Sequence, residues 1–402
     1  MFLPDRTNLC IRIIKVSIDS ASQFCLNIEK NEYLFKLNLE IVEILEITKY
    51  EHAGIFINTP VSRWKPGRYK VLLISYLLAA FLFLPAYSQP APPLQRYQFL
   101  HKQMGTLFRV VMYTADSLQA RQAATECFRR IDQLNDILSD YKPDSELNRL
   151  SATAGTGQKV PVSTDLWIIL NKSLKASRLS KGAFDCTVGP YIKLWRRSRR
   201  QGELPSKEAL AKAKKAVGYQ YIKLYADEMA VELSLPGMQL DMGAIGKGYA
   251  VDESLKLLQQ QGITAALVDG GGNIAVSEAP PGQSGWQVEI GSLEENKAQQ
   301  QQIQQVSLTY AGMASSGDVY QYVEMDGKRY SHIINPYTGI GLTHQTMVTV
   351  IAPDGTTADL LSTTISILGL KKGRKLLRKY KAHVCYIQYP NGSMEKWEAN
   401  KM

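Results

Sequence analysis

Cysteine is scarce in this sequence: five are spread over 402 residues, with no CxxC spacing. That excludes a zinc ribbon and argues against a disulfide framework. Three of them, Cys127, Cys186 and Cys385, lie beyond residue 88, an odd number that allows one intrachain disulfide at most. No apolar run reaches the roughly 20 residues of a membrane span. No segment repeats internally, and no nucleic-acid-binding motif accompanies the formal charge of +10. The basic clusters "WRRSRR" (195–200) and "KKGRKLLRKYK" (371–381) read as solvated helix faces, with attraction to anionic ligands as the second reading. The apolar fraction, 45%, is ordinary for a globular chain, and the length allows one large domain or two.

One hydrophobic stretch interrupts the globular pattern. In residues 65–88, "KPGRYKVLLISYLLAAFLFLPAYS", Lys65, Arg68 and Lys70 precede a run from Val71 to Leu84. Pro85 breaks the run, and Ala86-Tyr87-Ser88 has the small-x-small form of a cleavage site. The segment is expected to be a secretory signal peptide, with an uncleaved N-terminal anchor as the alternative. There is no Met between Met1 and Met104, so the expected start of translation near residue 65 would be at a non-AUG codon. The run has no lipoprotein-type cysteine after it. The expected organisation is an extension of uncertain role (1–64), the signal or anchor (65–88), a linker (89–98) and one domain (99–402).

Beyond the linker, helical and strand periodicities mix. "DSLQARQAATECFRRIDQLNDILSD" places Ala124, Cys127, Phe128, Ile131, Leu134 and Leu138 on one helix face. "STDLWIILNKSLKASRLSKG" is a second helix, capped by Ser163 or Thr164 and stopped at Gly182; "SKEALAKAKKAVG" is a third. "YIKLYADEMAVELSL", "QYVEMDGKRYSHII" and "VCYIQYPNGSMEKW" read as hairpins, the last two with Asp-Gly and Asn-Gly turns. "AALVDGGGNIAVSE" reads as one strand broken by three glycines. The fold class is therefore α+β, antiparallel sheets with packed helices.

Chemistry concentrates in a few stretches. "LDMGAIGKGYAVD" (240–252) runs from a strand-like segment through a Gly-rich turn with one lysine into a helical pattern from Tyr249. Backbone N–H groups at a helix start attract anions and Lys247 adds charge, but the spacing is not that of a P-loop. The residues alone leave both a phosphate cradle and a plain strand-to-helix connection open. In "TTADLLSTTISILG", Asp359 and Thr363 are four apart and share a helix face. Their oxygens suit a hard cation such as Mg²⁺, although an Asp near a helix start also serves as a cap. His332 precedes an Asn-Pro turn, Asp185 sits between Gly-containing turns, and "DGGGN" (269–273) permits close backbone approach or a bulge.

In order along the chain stand "MGT" (104–106), "LSDYKPDSELNRLS" (138–151), "GAFDCTVGPYIKLW" (182–195), "LDMGAIGKGYAVD", "ASSGD" (314–318), "YSHIINPYTG" (330–339) and "ADLLST" (358–363). This ordered set resembles the ApbE-like FAD:protein FMN transferases, once called thiamine-biosynthesis lipoproteins, from about Phe99 to the C-terminus. The resemblance implies that family's T-fold-like architecture. It implies FAD contacts at Met104, Tyr141, Ala183, Phe184, Asp185, Asp241, Lys247 and Ile334, with Tyr141 suited to stack on the isoalloxazine. It implies a Mg²⁺ held by the Ala244 carbonyl, Asp359 and Thr363, and a catalytic role for Asp359 and for His332 in proton transfer. Gly246 and Ser315 stand where Ala and Thr are common in the family, and Cys186 follows Asp185 where other residues are usual. The implied reaction is Mg²⁺-dependent transfer of FMN from FAD to a Ser/Thr hydroxyl of an exported or membrane redox protein, with release of AMP. The location implied is periplasmic or at a bacterial inner membrane, held by residues 71–84 if these are uncleaved. An FAD pyrophosphatase and a non-catalytic flavin-binding protein are the alternatives. The chain shows no acceptor motif of its own.

Overall fold

A computed structural model of the chain describes residues 92–290, 305–317, 322–325 and 327–399. The expected signal segment lies outside these residues.

The chain enters as a hairpin, β1 (Gln95–Gln103) and β2 (Thr106–Thr114). Its two-residue turn, Met104-Gly105, has positive φ at both positions (49° and 72°), the combination that suits the twist of a tight hairpin. β1 takes in the last residues of the expected linker. Three helices follow: α1 (Ser117–Leu138), α2 (Glu146–Ala152) and, after the two-residue β3 (Val160–Pro161), α3 (Thr164–Ser180). Ser163 is the cap of α3, accepting from the Leu166 N–H at 3.3 Å. α4 (Gly189–Gln201) and α5 (Lys207–Lys214) precede the hairpin β4 (Ile222–Tyr225) and β5 (Ala230–Leu233), on which β3 also pairs.

α6 (Gly246–Gln260) begins three residues earlier than its periodicity predicts, so the last two glycines of the Gly-rich turn belong to the helix. The predicted broken strand is instead a second hairpin, β6 (Ala266–Gly270) and β7 (Asn273–Val276). Gly271 and Gly272 carry the positive φ of its reversal. Then come β8 (Trp286–Glu289), β9 (Gln305–Leu308), β10 (Ala311–Gly317), the short hairpins β11 (Tyr322–Met325)–β12 (Lys328–Ser331) and β13 (Ile334–Asn335)–β14 (Ile340–Gly341), and β15 (Met347–Ala352). α7 (Gly355–Lys379), broken at Gly369, and the hairpin β16 (Val384–Gln388)–β17 (Met394–Glu398) complete the described chain.

The main sheet has eight strands in the order β1-β2-β6-β7-β10-β15-β16-β17, every neighbour antiparallel. Alternation along its strands builds two cores. Val110, Ala275 and Val350 join the large core that includes residues of α1, α3, α6 and α7. Their chain neighbours Val111, Ile274 and Ile351 join a second core with Trp286, Val288 and Leu308 of β8 and β9. A third cluster, around Tyr191, Trp195 and Tyr330, ties α4 to β12. The α+β reading holds, and the helical face of the sheet carries the residues that matter next.

Candidate active site

The N-terminal parts of α6 and α7 cross at a contact made possible by glycine. A Cβ on Gly248 would come within 2.7 Å of the Asp359 Cβ, and one on Gly355 within 2.8 Å of the Val251 side chain. The close approach lets the Gly248 N–H donate to Asp359 Oδ2 at 2.9 Å. Asp359 is only 3% exposed. Burial raises its pKa, while the Lys247 charge and the Gly248 N–H pull the other way. Asp252, one turn further along α6, locks the crossing. It accepts from the N–H groups of Gly355 and Thr356, both at 2.7 Å, and from the Thr356 hydroxyl. It thus satisfies the start of α7 from outside that helix. Burial and the nearby Asp354 push the Asp252 carboxyl up to about 6.

Thr363 lies one turn beyond Asp359 on the same face, and a chain of hydroxyls fixes its orientation. Ser362 Oγ donates to the Asp359 carbonyl at 2.9 Å. Ser316 Oγ of β10 lies 2.7 Å from Ser362 Oγ and 3.2 Å from Thr363 Oγ1. A carbonyl can only accept, so Ser316 donates to Ser362 and Thr363 donates to Ser316. The lone pairs of Thr363 are left for another partner. Among the described residues no group of three or more His, Cys, Asp or Glu could hold a metal ion. The set implied by the resemblance contains only one carboxylate, Asp359, and otherwise neutral oxygens: the Thr363 hydroxyl and the carbonyl of half-buried Ala244. Such donors are hard and match Mg²⁺ in kind.

A second group surrounds the segment before α6. The Asp241 N–H donates to the Cys186 carbonyl at 2.8 Å, and Val188 bridges Gln239, so the "GAFDCTVGP" and "LDMG" stretches run side by side. Asp185 accepts from Thr187 N–H (2.8 Å), Thr187 O–H (2.7 Å) and Tyr219 N–H (3.2 Å). Its carboxylate therefore ties its own loop to residue 219, and burial raises its pKa. Asp241 accepts from the Gly243 N–H at 2.8 Å. Burial and neighbouring Asp140 push its carboxyl up to about 6. Ala183 and Phe184 are buried beneath. Tyr337 donates its hydroxyl to the Lys181 carbonyl at 3.0 Å, which brings the segment of Ile334 to the same loop. Ile334 itself is buried, and His332 is exposed in the connection between β12 and β13. Met104 lies at the tip of the first hairpin, beside Thr106, which packs on Gly271.

The sequence reading missed Asp252, Ser316 and Arg196. Asp252 closed the quoted Gly-rich stretch and Ser316 stood in "ASSGD", but their partners lie far along the chain. Arg196 belongs to the basic run whose pattern reads as a solvated helix face. Its guanidinium instead lies over the Tyr141 ring, 3.7 Å from the centroid, and pairs with Asp140.

The fold that carries this site is similar to that of solved flavin transferases. Flavin transferase ApbE from Vibrio cholerae superposes with a TM-score of 0.67 at 26% identity, covering 77% of this chain and 98% of that one. Pseudomonas stutzeri flavinyl transferase ApbE, apo form, does so with a TM-score of 0.66 at 27% identity, covering 78% and 97%. The chain is 32% identical over 315 residues to the FAD:protein FMN transferase of Klebsiella pneumoniae, covering 77% of this chain and 89% of that protein. To the one of Treponema pallidum it is 33% identical over 292 residues, covering 69% and 80%. The ApbE family model matches residues 104–387. The chain belongs to the ApbE family.

Proposed function

We propose that this protein is an FAD:protein FMN transferase that uses Mg²⁺, releases AMP and modifies a Ser or Thr hydroxyl of an exported or membrane redox protein. The observation that supports it most is the buried Asp359 carboxylate, joined to the Gly248 N–H beside Lys247 at the start of α6. A dianionic pyrophosphate laid on this helix start meets the positive end of the helix dipole and the Lys247 charge. The residues that would hold the cation are Asp359, Thr363 and the Ala244 carbonyl. Bound there, Mg²⁺ supplies charge neutralisation at the phosphates.

The protein's own residues have three tasks in this reading. Lys247 balances charge on the pyrophosphate as the bond to the leaving AMP breaks. Tyr141 holds the flavin end of FAD. His332, exposed beside the Ile334 segment, takes the proton of the acceptor hydroxyl as its oxygen attacks the FMN phosphorus. A new phosphoester forms on the acceptor, and AMP leaves with the bridging oxygen. The setting proposed is the periplasm or the outer face of the inner membrane.

The test is an incubation with FAD, Mg²⁺ and candidate exported redox proteins, with and without EDTA. Intact masses of the acceptors are read beside AMP and free FMN. Stoichiometric AMP and acceptor labelling, both lost in EDTA, are expected. AMP with free FMN and no label on any acceptor would mean a pyrophosphatase.

A further inference from the structure

We propose that Arg196 is a positioning residue for the flavin: it backs one face of the Tyr141 ring and so presents the other face to the isoalloxazine of FAD. This rests on the proposed flavin chemistry and adds to it a residue that the Arg-rich run had hidden.

Three distant stretches meet at Arg196. It lies about two turns into α4, the helix that leaves the "GAFDCTVGP" segment. Its guanidinium pairs with Asp140 and lies over Tyr141, its central carbon 3.7 Å from the ring centroid. Asp140 in turn faces Asp241, two residues before the Gly-rich turn, and Arg196 offsets the mutual repulsion of the two carboxylates. The other arginines of the run differ: Arg197, Arg199 and Arg200 are exposed, and Arg197 bonds Gln201 on its own helix.

The backbone around Tyr141 is already fixed. Ser139 Oγ accepts from the N–H groups of Tyr141 (3.2 Å) and Lys142 (3.3 Å), and Asn148 Nδ2 donates to the Lys142 carbonyl at 2.8 Å. The ring is not enclosed, because Tyr141 is 74% exposed. A fixed backbone and an open ring leave the side-chain torsions to be settled, and a guanidinium on one face settles them. Arginine suits this task better than lysine, since its planar group stacks on the ring while its edge still pairs with a carboxylate. An exposed aromatic with one face covered is a platform for one further flat ring.

The alternative role for Arg196 is a direct charge contact with the pyrophosphate. ADP separates the two, because it carries the diphosphate without the flavin. Dissociation constants for FAD and ADP are measured for the wild type, R196M, R196K, Y141A and the Y141A/R196M double variant, with circular dichroism as the check on folding. R196M is expected to weaken FAD about three- to tenfold, the size of a cation–π contact, and to leave ADP unchanged. R196K, which keeps the charge for Asp140 but not the flat stack, falls between. In the Y141A background R196M adds less than a further twofold, and in turnover its loss falls on the KM for FAD more than on kcat. Equal losses for FAD and ADP, the same loss in the Y141A background, or no loss would each overturn the proposal. If R196M does not fold, the comparison of R196K with the wild type decides by the same criteria. A wild type that binds ADP but not FAD would overturn the flavin reading itself.

Discussion

At the scale of single residues, the site divides groups that touch the ligand from groups that aim them. Asp359→Ala removes the only carboxylate of the proposed cation set. It is expected to abolish Mg²⁺-dependent FMN transfer while circular dichroism stays native. Thr363→Ala removes a neutral oxygen and should cost less. Ser316→Ala tests the hydroxyl chain: without its acceptor on β10, the Thr363 O–H turns to another partner and its lone pairs lose their aim. A roughly tenfold weaker Mn²⁺ affinity in the presence of ADP is expected, within the range for removal of a supporting group around a metal. Unchanged Mn²⁺ binding in both Thr363→Ala and Ser316→Ala would remove Thr363 from the set. The Asp359–Thr363 pair was legible in the sequence because helical spacing alone puts i and i+4 on one face. Ser316 was not, because a β10 residue meets α7 only through the sheet.

At the scale of elements, the crossing of α6 and α7 separates two glycines that look equivalent in "GAIGKG". A Cβ on Gly248 collides with α7, so Gly248→Ala should cost about 1–3 kcal/mol or more, as overpacking does. A Cβ on Gly246 meets only the Met242 side chain at 3.7 Å. Gly246→Ala should therefore be neutral or stabilise by about 0.5–1 kcal/mol, because glycine in a helix has the larger entropy to lose. Chemical denaturation of the two variants checks the pair, and similar destabilisation in both would refute the crossing. The same junction has a pH signature. The Asp252 carboxyl, pushed from 3.8 to about 6 in the folded state, takes up its proton before the unfolded chain does. Wild-type stability relative to Asp252→Asn should therefore rise as pH falls from about 6 toward 4, by about 3 kcal/mol at most, and stay level above that window. Asp241 contributes a slope of the same sign, but it is common to both proteins and cancels in the difference. Hairpins with polar turns and the amphipathic helices were readable from periodicity. The start of α6 was not, because glycines hide a helix whose first turn is held by Asp359 and by packing on α7. The β6–β7 reversal was hidden likewise: a run of glycines suits a bulge and a turn equally until Val268 is seen paired with Ala275.

At the scale of the whole molecule, the fold and the proposed export can be tested together. The first strand of the described residues, β1, begins at Gln95. A cut after Ser88 thus leaves the eight-stranded sheet whole. Cys127, Cys186 and Cys385 are all buried and free, on α1, beside Asp185 and on β16. Burial raises all three thiols, Cys127 and Cys385 to about 12, which keeps them protonated and poor nucleophiles. Buried, protonated thiols resist forming a disulfide, so the stability of the domain is expected not to depend on one. Residues 89–402 alone should therefore unfold at the same temperature with and without reductant, and show FMN transfer equal to that of the full chain. A thiol reagent should label no cysteine in the native domain and three after denaturation. Protein isolated from the native host should begin close to Gln89. A reductant-sensitive melting temperature would mean that oxidation rearranges the buried thiols, and host protein that keeps residues 65–88 would favour the anchored form over the released one.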